Sequence, residues 1–307
     1  MVVLVKKSRF FVLLAALFSL IFFIAGCSSN GGSNAKSGKI NVVTTTDFYG
    51  EVAKAVVGDK GKVTSIINNP NVDPHDYTPT TKVGTEVAKA NVAVANGVGY
   101  DGWMNKLVKN NSDVKYIKVG ESLLNKKDGD NPHLWYKPET MPKLANALAA
   151  RFGKIQPKNK AYFKKNAQKY INSLKPINEK IDSLNAIAKK SDSKLVYVSE
   201  PVFDYALEAA GFKVGNKKFE EDTENDVDQA PSTIKNMQEG IKGKKIAFFV
   251  FNKQVDSKTV DNMVSLSKKS GVPVLPVTET LPAGKTYKSW MVSQYSQLEK
   301  ILKNAEK

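Results

Sequence analysis

The chain has two histidines in 307 residues, and both stand in the same setting. His75 lies in "DPHDYTP" and His133 in "NPHLWYKP", each an Asp/Asn-Pro-His-x-aromatic segment. A neutral imidazole is a good ligand for a divalent first-row transition metal, and a second one from a distant segment makes a shared ion the natural reading. Pro74 and Pro132 restrict the backbone just before each ring, so less conformational freedom is lost in holding it. The other ring nitrogen of a ligating histidine needs a partner, for which Asp73, Asp76 or a main-chain carbonyl is at hand. Tyr77 and Trp135, two residues on, are placed to cover such a site from water. A single loop histidine is ordinarily surface; two in a repeated context, with none elsewhere, argue for function.

The elements that would position them alternate between strand and helix. "KINVVTTT", "KVTSIIN", "VAVANG" and "VKYIKVG" read as strands of a first lobe over residues 39–137, with helical segments between them. From 138 to 193 strand signals vanish, and spaced Leu, Ile, Phe and Tyr among Lys, Ala and Asn predict a long connecting helical region, interrupted near Pro157 and bent near Pro176. Alternation restarts over 194–307 with "KLVYVS", "KKIAFFVFN" and "VPVLPV". The expected fold is α/β: two similar lobes with parallel sheets joined by a long helix, with the metal site in the cleft between them. The acidic stretch "EEDTENDVDQAP" is read as solvated surface.

In open parallel sheets ligands bind beyond the carboxyl ends of the strands. His75 follows the second strand and His133 the last strand of the first lobe. Glu200 comes directly after "KLVYVS" and Glu279 directly after "VPVLPVT". Two imidazoles and two carboxylates suit zinc at four-coordination, or manganese or iron at five or six, with Zn2+ slightly favoured over Mn2+ or Fe2+. Taken alone, Glu200 before Pro201 reads equally well as a helix N-terminal acid.

The N-terminus reads as a processing signal. Lys6, Lys7 and Arg9 precede an apolar run from Phe10 to Ala25 that ends in "IAGC". Residues 1–26 form the expected signal peptide of a bacterial lipoprotein, with a lipid on Cys27, the only cysteine, and a Ser/Gly/Asn tether to residue 38. The apolar run is shorter than the roughly 20 residues a spanning helix needs. A single cysteine excludes intrachain disulfides and multi-thiolate sites. The formal net charge of +16 comes almost wholly from lysine, since Arg9 and Arg151 are the two arginines. Without arginine forks, nucleic acid is not expected as a partner.

Together these residues resemble the metal-binding lipoproteins of zinc and manganese ABC importers, the TroA-like solute-binding family. "DPHDYTPT" and "NPHLWYKPETMPKLANALA" are similar to that family's first two ligand segments. "VSEPVFDYALEAAGF" is similar to the third, where members carry His or Glu, and "VPVLPVTETLPAGKTYKSWM" to the fourth, where Asp is usual and this chain has Glu279. The first lobe lacks the long His-rich loop of many zinc-specific members. The resemblance implies a monomeric receptor, not an enzyme, anchored by lipid on the extracytoplasmic face of the cell membrane, that hands one ion to an ABC permease with its ATPase. The rival readings are a surface metallohydrolase and an adhesin. The hydrolase lacks H-E-x-x-H and G-x-S-x-G, while an adhesin shares the receptor's sequence signature.

Overall fold

The computed structural model describes residues 38–305. The expected signal peptide, Cys27 and most of the tether lie outside the described residues. Two four-stranded parallel sheets organise the chain. In the first, β1 (Ile40–Thr46) pairs with β2 (Gly61–Ile67) on one side and β3 (Val92–Ala95) on the other, and β3 pairs with β4 (Lys115–Lys118). In the second, β5 (Leu195–Val198) lies between β6 (Lys213–Val214) and β7 (Phe249–Asn252), with β8 (Val274–Val277) at the edge. Both sheets therefore have the order second, first, third, fourth. Chain direction reverses across the first strand of each, which opens a crevice at its carboxyl end.

Helices cover these sheets because the strands are apolar on both faces. β3 is buried at all four positions, as expected for a strand covered on both sides. In the first lobe α1 (Asp47–Val57) buries Phe48, Tyr49, Val52, Ala53 and Val56, while α2 (Thr81–Ala88) and α3 (Trp103–Lys109) cover a smaller cluster around Val43, Val87, Ala93 and Met104. α4 (Thr140–Ile155) packs Leu144, Leu148 and Phe152 into the core that contains α1.

The connector is α5 (Lys160–Ser173) followed by α6 (Lys175–Lys190), broken only at Leu174. Pro176 is the second residue of α6, where its missing N–H has no helical partner to lose, so the break falls just before it. At 1.5 Å per residue the pair runs about 45 Å, long enough to reach from one sheet to the other. In the second lobe come α7 (Asp204–Ala209), α8 (Lys217–Glu224), α9 (Pro231–Lys242) and α10 (Lys258–Lys269), and α11 (Tyr287–Ala305) closes the chain. Among the described residues no helix is long and apolar enough to cross a membrane.

A continuous aromatic seam joins the lobes. Phe48 meets Trp135 at 4.9 Å and Trp290 at 6.1 Å; Tyr136 meets Trp290 at 5.6 Å and Phe203 at 5.0 Å; Phe203 meets Tyr295 at 5.8 Å. The polar tips of these rings are bonded across the seam. Tyr136 Oη donates to the Thr278 carbonyl at 2.6 Å, Tyr287 Oη to the Trp135 carbonyl at 2.7 Å, and Trp290 Nε1 to Thr278 Oγ1 at 2.9 Å. The seam holds Thr278, and so the start of the loop that bears Glu279, in fixed register with the His133 loop.

Trp290 is 1 % exposed at the centre of that seam. Trp290→Ala is expected to lower unfolding stability by about 3–5 kcal/mol. At about 2–4 °C per kcal/mol for a chain of this size, the thermal midpoint should fall by roughly 10 °C, as read by circular dichroism.

Candidate metal centre

The repeated Asp/Asn-Pro-His motif is an Asx turn used twice. Asp73 Oδ1 accepts from the His75 main-chain N–H at 2.8 Å, and Asn131 Oδ1 accepts from that of His133 at 2.9 Å. In each case the acidic or amide side chain closes a turn over the proline and fixes where the ring departs from the backbone.

Asn131 does more than Asp73, because its Oδ1 also lies 2.8 Å from His133 Nδ1. Its Nδ2 donates to the Pro201 carbonyl at 2.7 Å, which sets the amide orientation and leaves Oδ1 as the acceptor. His133 Nδ1 therefore carries the proton, and Nε2 presents a lone pair. His133 is fully buried, and its Nε2 has no hydrogen-bond partner. Burial, with His75 nearby, holds its pKa well below the usual range, so the ring stays neutral. The His75 side chain is 36 % exposed, and burial lowers its pKa as well. The ring orienter at His133 is thus Asn131, not the Asp73, Asp76 or main-chain carbonyl expected from the sequence, and Asp73 bonds the backbone at His75.

Trp135 packs edge-on to His133 at 5.3 Å, as the spacing predicts, but Tyr77 does not cover the centre. It stacks on Trp103 at 5.0 Å, and Tyr100 takes the covering position, 4.7 Å from the His75 ring and 6.4 Å from His133. Tyr100 is placed by the turn Asn96–Gly99 beyond β3. Gly97, Val98 and Gly99 all have positive φ there, and Val98 at 57° is strained because its side chain is β-branched. The Asp101 carboxylate secures the turn by accepting from the Asn96 and Gly97 N–H groups at 2.7 and 2.9 Å. Asn96 Nδ2 then donates to the Pro132 carbonyl at 2.9 Å, tying this turn to the His133 loop.

Carboxylates from the other lobe meet these rings. Glu279 Oε1 lies 3.7 Å from His75 Nε2 and 3.9 Å from His133 Nε2, and it accepts from Tyr100 Oη at 2.9 Å. One ligand atom each from His75, His133 and Glu279 falls within 4.8 Å of the others. Glu224, the last residue of α8, reaches the same place: its Oε1 is 3.6 Å from His75 Nε2 and 3.9 Å from His133 Nε2. Around a tetrahedral ion at about 2.0–2.2 Å, neighbouring ligand atoms lie roughly 3.3–3.6 Å apart, a spacing that the 3.6 Å pair meets and the 3.7 and 3.9 Å pairs slightly exceed. Glu200 borders the cleft but turns aside, its Oε2 accepting from Asn252 Nδ2 at 2.9 Å.

The acidic stretch before Pro231 is therefore not the solvated loop its composition predicts. Its first half belongs to α8, where Glu220 and Asp222 are buried. Lys217 pairs with Asp204 at 2.5 Å and with Glu220 at 2.7 Å, and Lys218 pairs with Asp222. The lysines at i−3 and i−4 from these acids were the available signal.

The centre is electrostatically tense. Burial pushes Glu279 up to about 8 and Glu224 to about 9, and Glu200 adds repulsion to both. Burial raises Glu200 to about 7 against the favourable Asn252 bond. A dication would relieve all three at once. The cleft beside them, about 670 Å³, is lined by Asp73, Asp76, Asp226, Asp228 and Asp256, with Lys253 the one cation in its lining among the described residues. An acidic mouth on an otherwise lysine-rich chain concentrates cations at the site.

The pH dependence follows from these shifts. The imidazoles are already neutral at pH 7, so protons compete with metal mainly at the glutamates, whose raised pKa values extend to about 9. Affinity should rise from pH 6 to pH 9, and calorimetry in buffers of different ionisation enthalpy should show net proton release on binding at pH 7. Without metal the sign reverses: carboxyls with raised folded-state pKa values contribute stability below about pH 4.5, and this is lost as pH rises towards 9.

Residues 42–301 match the family model described as zinc-uptake complex component A, periplasmic. The iron ABC transporter substrate-binding lipoprotein MtsA of Streptococcus pyogenes is 29 % identical over 277 residues, covering 85 % of this chain and 86 % of that protein. The manganese ABC transporter substrate-binding lipoprotein PsaA of Streptococcus pneumoniae is 27 % identical over 281 residues, with coverage of 85 % and 86 %. Among solved structures, zinc-bound AdcA from Streptococcus pneumoniae superposes with a TM-score of 0.66 at 25 % identity, over 86 % of this chain and 58 % of that one.

Proposed function

The chain belongs to the zinc-uptake complex component A family, and from that premise we propose that it is a lipid-anchored extracytoplasmic receptor that captures one divalent transition-metal ion and delivers it to an ABC importer. The ion is gripped between an N-terminal lobe (39–137) and a C-terminal lobe (194–307). His75 and His133 come from the first, Glu200 and Glu279 from the second. Glu200 joins by turning from Asn252 towards the ion. Cys27, after removal of residues 1–26, carries the lipid, and the Ser/Gly/Asn tether gives the receptor reach to its permease.

One observation carries the reading. His133 Nε2 is a buried, unpartnered lone pair whose tautomer is set by Asn131, and it faces carboxylate oxygens from the opposite lobe. A buried acceptor facing acceptors is unfavourable unless a cation sits between them. The work of such a centre is capture and release, since its donors are all protein groups and hydrolysis needs an open position for water. MtsA and PsaA are named for iron and manganese, and the AdcA structure is zinc-bound; the donors present here accept each of these ions.

Removing an imidazole tests the centre. His133→Ala or His75→Ala should weaken binding of zinc and manganese at least tenfold in competition titrations, while Glu179→Gln on the exposed face of α6 should leave it unchanged. Native affinity in both histidine variants would refute the assignment. Binding should also stabilise the fold: at free metal about 1,000 times Kd, linkage adds roughly 4 kcal/mol, or about 10 °C in the thermal midpoint. Chelator should remove that shift, and metal-loaded protein should turn over neither ester nor peptide substrates.

A further inference from the structure

We propose that Glu224 is a further ligand of the captured ion and biases the centre towards manganese(II) or iron(II) over zinc(II). The proposal rests on the metal-receptor reading above and assigns its selectivity.

Glu224 stands at nearly the same distances from the two rings as Glu279, although the ligand atoms that lie within 4.8 Å of one another are those of His75, His133 and Glu279. Their Oε1 atoms stand 3.6 and 3.7 Å from His75 Nε2, and both stand 3.9 Å from His133 Nε2. Glu279 is steadied by Tyr100, whereas Glu224 Oε1 is buried with no hydrogen-bond partner. It faces the equally unpartnered and fully buried His133 Nε2, which accepts rather than donates because Nδ1 holds the proton. Two buried lone pairs pointed at one place define a cation site from both sides.

The local fold holds Glu224 there against its own electrostatics. The C-terminus of a helix carries partial negative charge, so a half-buried carboxylate at the last position of α8 is disfavoured and a cation beside it is favoured. α8 is nonetheless pinned. Phe219 is fully buried, Thr223 Oγ1 donates to the Phe219 carbonyl at 3.0 Å, and Lys217 ties Glu220 to Asp204 on α7. The side chain thus stays beside the histidines whether or not Glu200 leaves Asn252.

Selectivity follows from donor count. Zinc is satisfied by four ligands at tetrahedral corners, which His75, His133 and Glu279 supply together with Glu200 once it turns from Asn252. A third carboxylate raises the count to five or more and makes the set richer in hard oxygen, which suits manganese(II) and iron(II).

The test is Glu224→Gln, which keeps shape and removes charge, with His133→Ala in parallel and manganese(II) and zinc(II) as probes. In Glu224→Gln the Kd for manganese should rise at least tenfold and that for zinc less than threefold. The zero-field splitting of bound manganese, read by high-field electron paramagnetic resonance, should change. An unchanged manganese Kd and spectrum overturn the proposal, and an equal loss for both ions overturns its selectivity. If His133→Ala binds both ions normally, the metal-receptor reading itself fails; if it loses both while Glu224→Gln is native, only the role of Glu224 fails. The melting midpoint of metal-free Glu224→Gln should match the parent, because the amide keeps the shape and Glu224 Oε1 has no hydrogen-bond partner to lose, so a loss of manganese affinity is not a loss of fold.

Discussion

Two half-buried glutamates of one lobe, Glu224 and Glu279, face two neutral imidazoles of the other, with Glu200 close by on Asn252, and the rest of the structure serves to keep them there. Left to themselves such carboxylates would protonate or swing into water, as their raised pKa values show. They are held by elements that cannot easily move. Glu279 follows Thr278, whose carbonyl and hydroxyl are bonded by Tyr136 and Trp290, and Glu224 ends a helix pinned by Phe219 and Lys217. The aromatic seam thus links interlobe packing to the chemistry of the cleft, since it sets the distance between rings and carboxylates.

That arrangement gives the cleft two properties a metal receptor needs. The positions of the donors are largely set before the ion arrives, because Asx turns hold both histidines and Asn131 fixes the tautomer of one. Little ordering then remains to be done on binding. Burial, with repulsion among the carboxylates, disfavours their ionised form without an ion, so they hold protons that metal displaces, and binding is coupled to pH. In the proposed receptor protons compete with metal at these carboxyls, and Glu200 turns from Asn252 towards the ion.

Much of this was legible in the residues. The paired histidine motifs pointed to a shared ion, and the strand-helix alternation to two parallel sheets with the break in the connector near Pro176. Glu279 was legible because it sits at a strand end. Glu224 was not, since "EEDTENDVDQAP" has the composition of a solvated loop, and what buries it is an eight-residue helix stapled by Lys217 and Lys218. Tertiary contacts also decided the rest: Tyr77 has a partner in Trp103, so Tyr100 covers the site, and Glu200 has a partner in Asn252, so its oxygens lie outside the His75–His133–Glu279 group.

The central claim is that one ion lies between the lobes, touched by His75 and His133 on one side and by glutamate on the other. Anomalous diffraction from crystals grown with manganese(II), recorded above and below its absorption edge, locates the ion without assumptions about ligands. The account predicts a single strong peak within about 2.0–2.3 Å of both Nε2 atoms and of Glu279 Oε1. A principal peak bound by one lobe alone, or one away from both histidines, would contradict it.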